Sequence, residues 1–348
     1  MYFDKENTKV KRFLILGLAA ATMLGLLASQ SFGQQVKLAQ TGFNFLNVSS
    51  DARAAAMGDA VNSLCGYEGA LSHNPASMVQ MPTALNINAS VTSYIADIKY
   101  LSVNAIVTPW SGDYGVLGLS FQSVDYGDVQ GTMVWNNSAG YIDTYTMNPA
   151  ALALGVGYAK MISDRFGVGG QVRFAYQSLG KSVVPSGIDA YVTKQNTANA
   201  LAFDFGTYFN TGIKSLAFGM SVRNFSKEVQ YEVEGFQLPL LFTLGISANV
   251  FDFIQVPGPE QALLLSIDAT HPRAHPEQLK IGAEYQFMKL IALRGGYITG
   301  EDEDGITFGV GLTSAGLNLS SANFAVDYSY TPYGVFNNVQ RITVTFSM

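Results

Sequence analysis

Residues 151–159 read Ala-Leu-Ala-Leu-Gly-Val-Gly-Tyr-Ala, with a large apolar side chain at every second position and a small one between. A period of two puts the large set on one face of an extended strand and the small set on the other. The pattern returns along the chain. Leu201, Phe203, Phe205 and Phe209 alternate with Ala202, Asp204, Gly206 and Tyr208. Leu216, Phe218, Met220 and Val222 alternate with Ala217, Gly219, Ser221 and Arg223. Ile281, Ala283, Tyr285 and Phe287 oppose Gly282, Glu284 and Gln286, and Ile306, Phe308, Val310 and Leu312 oppose Thr307, Gly309 and Gly311. The last segment sets Ile342, Val344 and Phe346 against Arg341, Thr343 and Thr345. The charges within these segments (Arg173, Asp204, Arg223, Glu284, Arg341) all keep the small-residue parity. A sheet with one face in water also alternates, but its polar face is rich in Lys and Glu. Here that face is Gly, Ala, Ser and Thr, as in a strand with lipid on one side and a crowded lumen on the other. The pattern predicts an all-β chain, a transmembrane antiparallel barrel.

Composition narrows the alternatives. Only 13% of the 348 residues are charged, against about 25% in soluble domains. The 35 Gly, 22 Phe and 18 Tyr argue against disorder, which needs high charge and few aromatics. A net charge of −6, with no basic block beyond the N-terminus, argues against nucleic-acid binding. After residue 33 no apolar run is long enough for a spanning helix.

The first residues read as an address. Lys5, Lys9, Lys11 and Arg12 precede the apolar run 13–28, and Ser31 and Gly33 stand at −3 and −1 of a cut before Gln34. These are the parts of a secretory signal peptide, residues 1–33. No Cys lies at the cut, so it is not a lipoprotein signal. The single Cys65 has no partner for an intramolecular disulfide and reads as a small buried apolar residue.

Alternating segments begin near 84, 98, 114, 150, 165, 199, 215, 238, 261, 277, 289, 304, 320 and 338. That is about fourteen strands over 84–348, an even number as bacterial barrels have. With the N-terminus in the periplasm, Ser163-Asp164, Thr211-Gly212 and Met288-Lys289 fall at short periplasmic turns. The long connections 125–149, 180–198 and 225–237 then fall outside the cell, and 251–260 is a long link on the short side.

Residues 34–83 do not alternate. Asp51-Ala52-Arg53-Ala54-Ala55-Ala56-Met57-Gly58-Asp59-Ala60 reads as a short helix capped by Ser50 or Asp51 and ending near Gly58. Asn74-Pro75-Ala76 reads as a turn. A subdomain of this size has nowhere to go except into or against the barrel. Phe45-Leu46-Asn47-Val48, the Asp51–Ala60 run and Asn74-Pro75-Ala76 together resemble the opening signature of the PorV/PorQ family of Bacteroidetes outer-membrane proteins. The resemblance implies a FadL-like barrel plugged by its N-terminal segment, with Asp51, Arg53, Met57, Gly58, Asp59, Asn74 and Pro75 as the plug signature. It further implies a part in the type IX secretion system, with the translocon barrel and secreted proteins carrying a C-terminal signal domain as partners. Departures at Ala55-Ala56 and at Ser72-His73 leave a PorV-like and a PorQ-like role both open.

A search for chemistry finds no Gly-x-Ser-x-Gly elbow. His271 and His275 are spaced i, i+4, but Pro272 and Pro276 oppose the helix a metal pair needs, so a loop between strands is expected. His73 reads as a hydrogen-bonded plug residue. Glu301-Asp302-Glu303-Asp304 lacks EF-hand spacing and reads as a solvated hairpin tip, able at most to bridge lipopolysaccharide phosphates through a divalent ion. Tyr94, Tyr100, Trp110, Trp135, Tyr297, Tyr328 and Tyr330 read as an interfacial girdle. No enzyme, cofactor or metal centre is expected. Tyr126, Trp135, Tyr141, Tyr145, Tyr191 and Phe236 lie in the long outer connections and are candidate partner-binding residues. The alternative to secretion is a FadL-like transporter of hydrophobic small molecules. On either reading the surroundings are outer-membrane lipid and lipopolysaccharide.

Overall fold

The computed structural model describes residues 41–187, 190–231, 233–254, 260–300, 305–317 and 322–348. The signal-peptide segment and the acidic run 301–304 lie outside these residues.

Among the described residues eighteen strands follow one another: β1 Leu85–Ser93, β2 Lys99–Val107, β3 Val116–Asp125, β4 Val129–Val134, β5 Tyr141–Met147 and β6 Ala150–Met161. Then come β7 Phe166–Gly187, β8 Ala190–Asn210, β9 Ala217–Phe225, β10 Val229–Gln230, β11 Gly235–Phe236 and β12 Leu241–Asn249. The last six are β13 Gln261–Pro272, β14 Gln278–Phe287, β15 Ile291–Ile298, β16 Ile306–Thr313, β17 Asn323–Pro332 and β18 Asn338–Ser347. Fourteen of them close into one barrel, with β18 returning to β1 through pairs such as Val91 with Ile342. Closure leaves no sheet edge with unpaired amides facing lipid, the condition for a sheet to cross a membrane. The hairpins β4–β5 and β10–β11 stand outside the barrel in the long outer connections.

The period-two pattern sets the orientation of every wall residue. Leu154, Val156, Leu201, Phe205, Phe308 and Leu312 point outward and are about half exposed, whereas Ala153, Ala159, Ala202, Asp204 and Thr307 are buried inside. Most barrel strands have 8–12 residues, enough to cross a hydrocarbon core when tilted.

The strand starts expected from sequence lie within a few residues of those found, with one correction. Segment 180–198 is not a loop. β7 and β8 continue as a paired ribbon through Pro185 and Tyr191, so β8 begins at Ala190 rather than near 199. At about 3.3 Å per residue the ribbon rises roughly 30–40 Å beyond a membrane-length strand. Its polar sequence (Lys181, Ser182, Thr193, Lys194) alternates too weakly to announce a strand in water.

Candidate functional site

The lumen is filled by residues 41–81, and the wall glycines show how closely. The helix Ala52–Ala56 is capped by Asp51, whose Oδ1 accepts from the amides of Arg53 at 2.7 Å and Ala54 at 3.2 Å. Asp51, rather than Ser50, is therefore the cap. The helix stops because Gly58 and Asp59 turn to φ 63° and 58°. All but one of its residues are buried. Their alanine side chains bring the helix backbone against β15–β18, where Thr343 Oγ1 accepts from the Ala52 amide at 2.9 Å and Thr307 Oγ1 donates to the Ala56 carbonyl at 3.0 Å. A Cβ on Gly282 would lie 2.5 Å from the Met57 carbonyl oxygen, and one on Gly169 would lie 2.5 Å from the Ala76 amide. Small wall residues thus sit where plug backbone touches the barrel.

Asn74 does the same at the second motif. It caps the 3-10 turn Pro75–Met78 by accepting from the Ala76 amide at 3.0 Å, and it donates to the carbonyls of Asn62 at 2.8 Å and Thr207 at 3.0 Å. Asn62 carries the plug further into the wall: its amide donates to Asp268 at 2.8 Å, and Ser221 donates to its Oδ1 at 2.6 Å. The signature residues are therefore fitted to the wall, or hold the bends that bring the plug to it.

Charge completes the attachment. Arg53 donates to both oxygens of Glu284, at 2.9 and 2.7 Å, Arg294 donates to Glu284 at 2.6 Å and Arg294 reaches Asp327 at 2.5 Å. A second buried group joins Arg173 to Asp204: Nη2 donates to Oδ1 at 2.9 Å, and Nε stands in ion-pair contact with Oδ2 at 2.8 Å. The Asn224 amide donates to the same carboxylate at 2.7 Å from a left-handed φ of 62°. Asn224 also donates to Asn47 and Pro239. Arg173, Asp204, Arg223, Glu284 and Arg341 face inward, as the parity requires. The sequence reading missed Asp268, Lys280, Arg294 and Asp327, although the same parity along β13, β14, β15 and β17 contains them.

The plug separates two cavities. The outer one, about 320 Å³, is bordered by strand tops and outer links such as Pro239, Arg273, His275 and Tyr333. The periplasmic one, about 300 Å³, is bordered by Pro82, Thr313, Asn323 and Ser347, with Arg53, Glu284 and Arg294 at its head. Beside the outer cavity lies an aromatic cluster in which Phe236 stacks on Phe43 at 6.0 Å and on Tyr231 at 5.3 Å, and Tyr94 packs edge-on against Tyr100 at 5.5 Å. The start of the plug is tied to this cover by a bridge between Thr41 and Gln237.

Two further corrections concern single residues. Tyr100 is not part of an outward girdle; it is buried inside, on the parity of Ser102 and Asn104. Cys65 is not a plain apolar filler, because its thiol donates to the Val79 carbonyl at 2.8 Å and burial pushes it up to about 12. Trp110, Tyr297 and Tyr330 do face outward, and Tyr328 is half-buried. His271 lies not in a loop but within β13, one residue before its end, and pairs with Glu277 at 2.9 Å; among the described residues no cluster of His, Cys, Asp and Glu could hold a metal. Burial, followed by the charge of Arg223, holds His73 down to about 3, and its Nε2 has no hydrogen-bond partner among the described residues.

The candidate partner residues divide in two. Tyr126 and Phe236 turn into the aromatic cluster, Tyr126 accepting from Gln177 at 3.3 Å. Tyr141 and Tyr145 are exposed on β5, and Trp135 packs against Tyr191 of the long ribbon at 5.5 Å.

No family model matches this chain, and no curated protein matches it. Solved structures do. The toluene transporter TbuX of Ralstonia pickettii superposes with a TM-score of 0.56 at 12% identity, over 85% of this chain and 96% of that one. The toluene transporter TodX of Pseudomonas putida gives 0.55 at 12% identity, over 90% and 98%. The monoaromatic hydrocarbon channel CymD gives 0.55 at 12%, over 88% and 98%. The likeness is one of fold: a FadL-like, fourteen-stranded, outer-membrane barrel. The chain is an outer-membrane protein.

Proposed function

We propose that this protein is a non-catalytic FadL-like transporter that carries hydrophobic small molecules across the outer membrane. The observation that carries this reading is the shared barrel architecture with hydrocarbon transporters. The aromatic cluster at the outer mouth adds an apolar surface on which such a molecule could first settle, beside a cavity in the lumen. Movement past that point requires the plug to shift. The test is uptake of radiolabelled toluene by cells with and without the gene, and by proteoliposomes holding the purified barrel. Uptake that is unchanged by deletion would sink the reading.

A second reading is favoured by the outer ribbon and the plug signature. In it the barrel is a closed component of the type IX secretion system that binds the translocon barrel and secreted proteins with a C-terminal signal domain. Exposed Tyr141, Tyr145 and Val134 on a hairpin clear of the membrane offer a docking surface. Here co-purification with a large translocon barrel, lost on truncating 129–147, is the expected result. Deletion that stops uptake and leaves secretion intact supports the first reading; the reverse supports the second.

A further inference from the structure

Two buried side-chain nitrogen atoms without a hydrogen-bond partner among the described residues belong to residues that line the outer cavity: His73 Nε2 and Arg223 Nε. Buried polar atoms are nearly always paired, so two unpaired nitrogens facing one space point to a polar occupant. The charges decide what kind. Arg223 donates to the Ser72 carbonyl, and Arg341 donates to the Ser49 carbonyl at 2.8 Å and to Thr331 at 3.1 Å. Neutral acceptors thus hold both guanidinium groups still, and among the described residues neither forms an ion pair. Lys280 borders the same space, 3.7 Å from Asp59. Asp268 already accepts from the Asn62 amide. The remaining excess is cationic, presented on fixed forks of N–H donors suited to a carboxylate or phosphate. Neutral His73 can donate or accept beside them. The volume of about 320 Å³ lies at the lower end of small-molecule sites, roughly 300–1,000 Å³.

We infer that the outer cavity is a binding site for a small organic anion, a carboxylate or a phosphate monoester, recognised by Arg223 and Arg341. Toluene and other monoaromatic hydrocarbons carry no charge, so the site goes beyond what the fold shares with their transporters. It is also independent of transport and of docking, because a barrel that moves nothing can still hold an anion.

The experiment is calorimetric titration of the full chain in lipid nanodiscs with four probes on one ring: benzoate, phenyl phosphate, benzyl alcohol and benzylamine. Benzoate and phenyl phosphate should bind, and the alcohol and the amine at least tenfold more weakly. Arg223→Gln and Arg341→Gln should each weaken benzoate about tenfold, the loss of one charge-assisted contact, and Arg223→Lys should weaken it less. Arg341 also fastens the plug, so folding of each variant is checked by its unheated gel mobility; the four-probe comparison on the wild type needs no variant. Equal binding of benzoate and benzyl alcohol would overturn the inference. So would no binding of either anion at millimolar concentration, which would mean that the cavity holds water only.

Discussion

The pair formed by Arg53 and Glu284 joins plug to wall, and its worth can be worked from the geometry. Two hydrogen bonds, at 2.9 and 2.7 Å, link a side chain that is 25% exposed to one that is 7% exposed. Removing one partner of a fully buried pair costs about 3–5 kcal/mol. Two features lower that figure here. Water reaches part of Arg53, and Glu284 keeps Arg294 at 2.6 Å. Arg53→Ala should therefore cost about 2–3 kcal/mol. Glu284→Ala should cost more, because it strands Arg53 and leaves Arg294 only Asp327. The double variant should reveal a coupling of about 1.5–3 kcal/mol. The assay is the temperature at which the purified barrel loses its fast gel mobility, at about 2 °C per kcal/mol for a chain of this size, hence a fall of roughly 4–6 °C for Arg53→Ala. Conductance should stay closed, since Ala52, Asn62, Asn74 and Ala56 still bind the wall. A coupling below about 0.5 kcal/mol, or an Arg53→Ala conductance equal to that of a barrel lacking residues 41–81, would refute the argument.

Other expectations follow from the same interior. Gly282→Val should lower the gel-shift temperature by an overpacking cost of about 1–3 kcal/mol or more, because a Cβ there meets the Met57 carbonyl oxygen at 2.5 Å; Gly295→Ala, whose Cβ would first meet the Thr307 carbonyl oxygen at 3.9 Å, should change it little. Asp204→Asn strands buried Arg173 and should cost about 3–5 kcal/mol, whereas Arg173→Met with Asp204→Leu should recover much of it in the same measurement. The His73 imidazole is held down to about 3 by burial and then by Arg223. Between that value and the ordinary one near about 6.5 the unfolded chain binds more protons, so stability falls as pH falls through this window. Asp51 acts in the opposite sense: burial, then Asp327, raises it to about 6, and its contribution is present below about 3.9 and lost as pH rises through the folded value. Between pH 6.5 and 4 His73→Gln should therefore lose less stability, or gain more, than the wild type in urea titrations across the range, and equal slopes would refute the assignment.

The sequence by itself determined the barrel. Period-two alternation is a local property of an extended chain, so each segment from 85 to 347 declared its two faces without help from its neighbours. A nearly uncharged small-residue face then admitted only a crowded lumen. The same local logic found Asp51 and Asn74, because a capping side chain acts within three residues of its own position. It failed where the deciding contact is distant in sequence. The β7–β8 ribbon exists because two polar segments pair with each other, and neither has a periodicity that announces it. Tyr100 turned inward because Tyr94 and the aromatic cover of the plug receive it there. Arg53 meets Glu284 across 231 positions of chain, and the unpaired nitrogens of His73 and Arg223 share one cavity although one arises from the plug and the other from the wall. Which face each residue takes is fixed by backbone pleat and can be read locally; which residues face one another across the lumen is fixed only when the sheet closes around its plug.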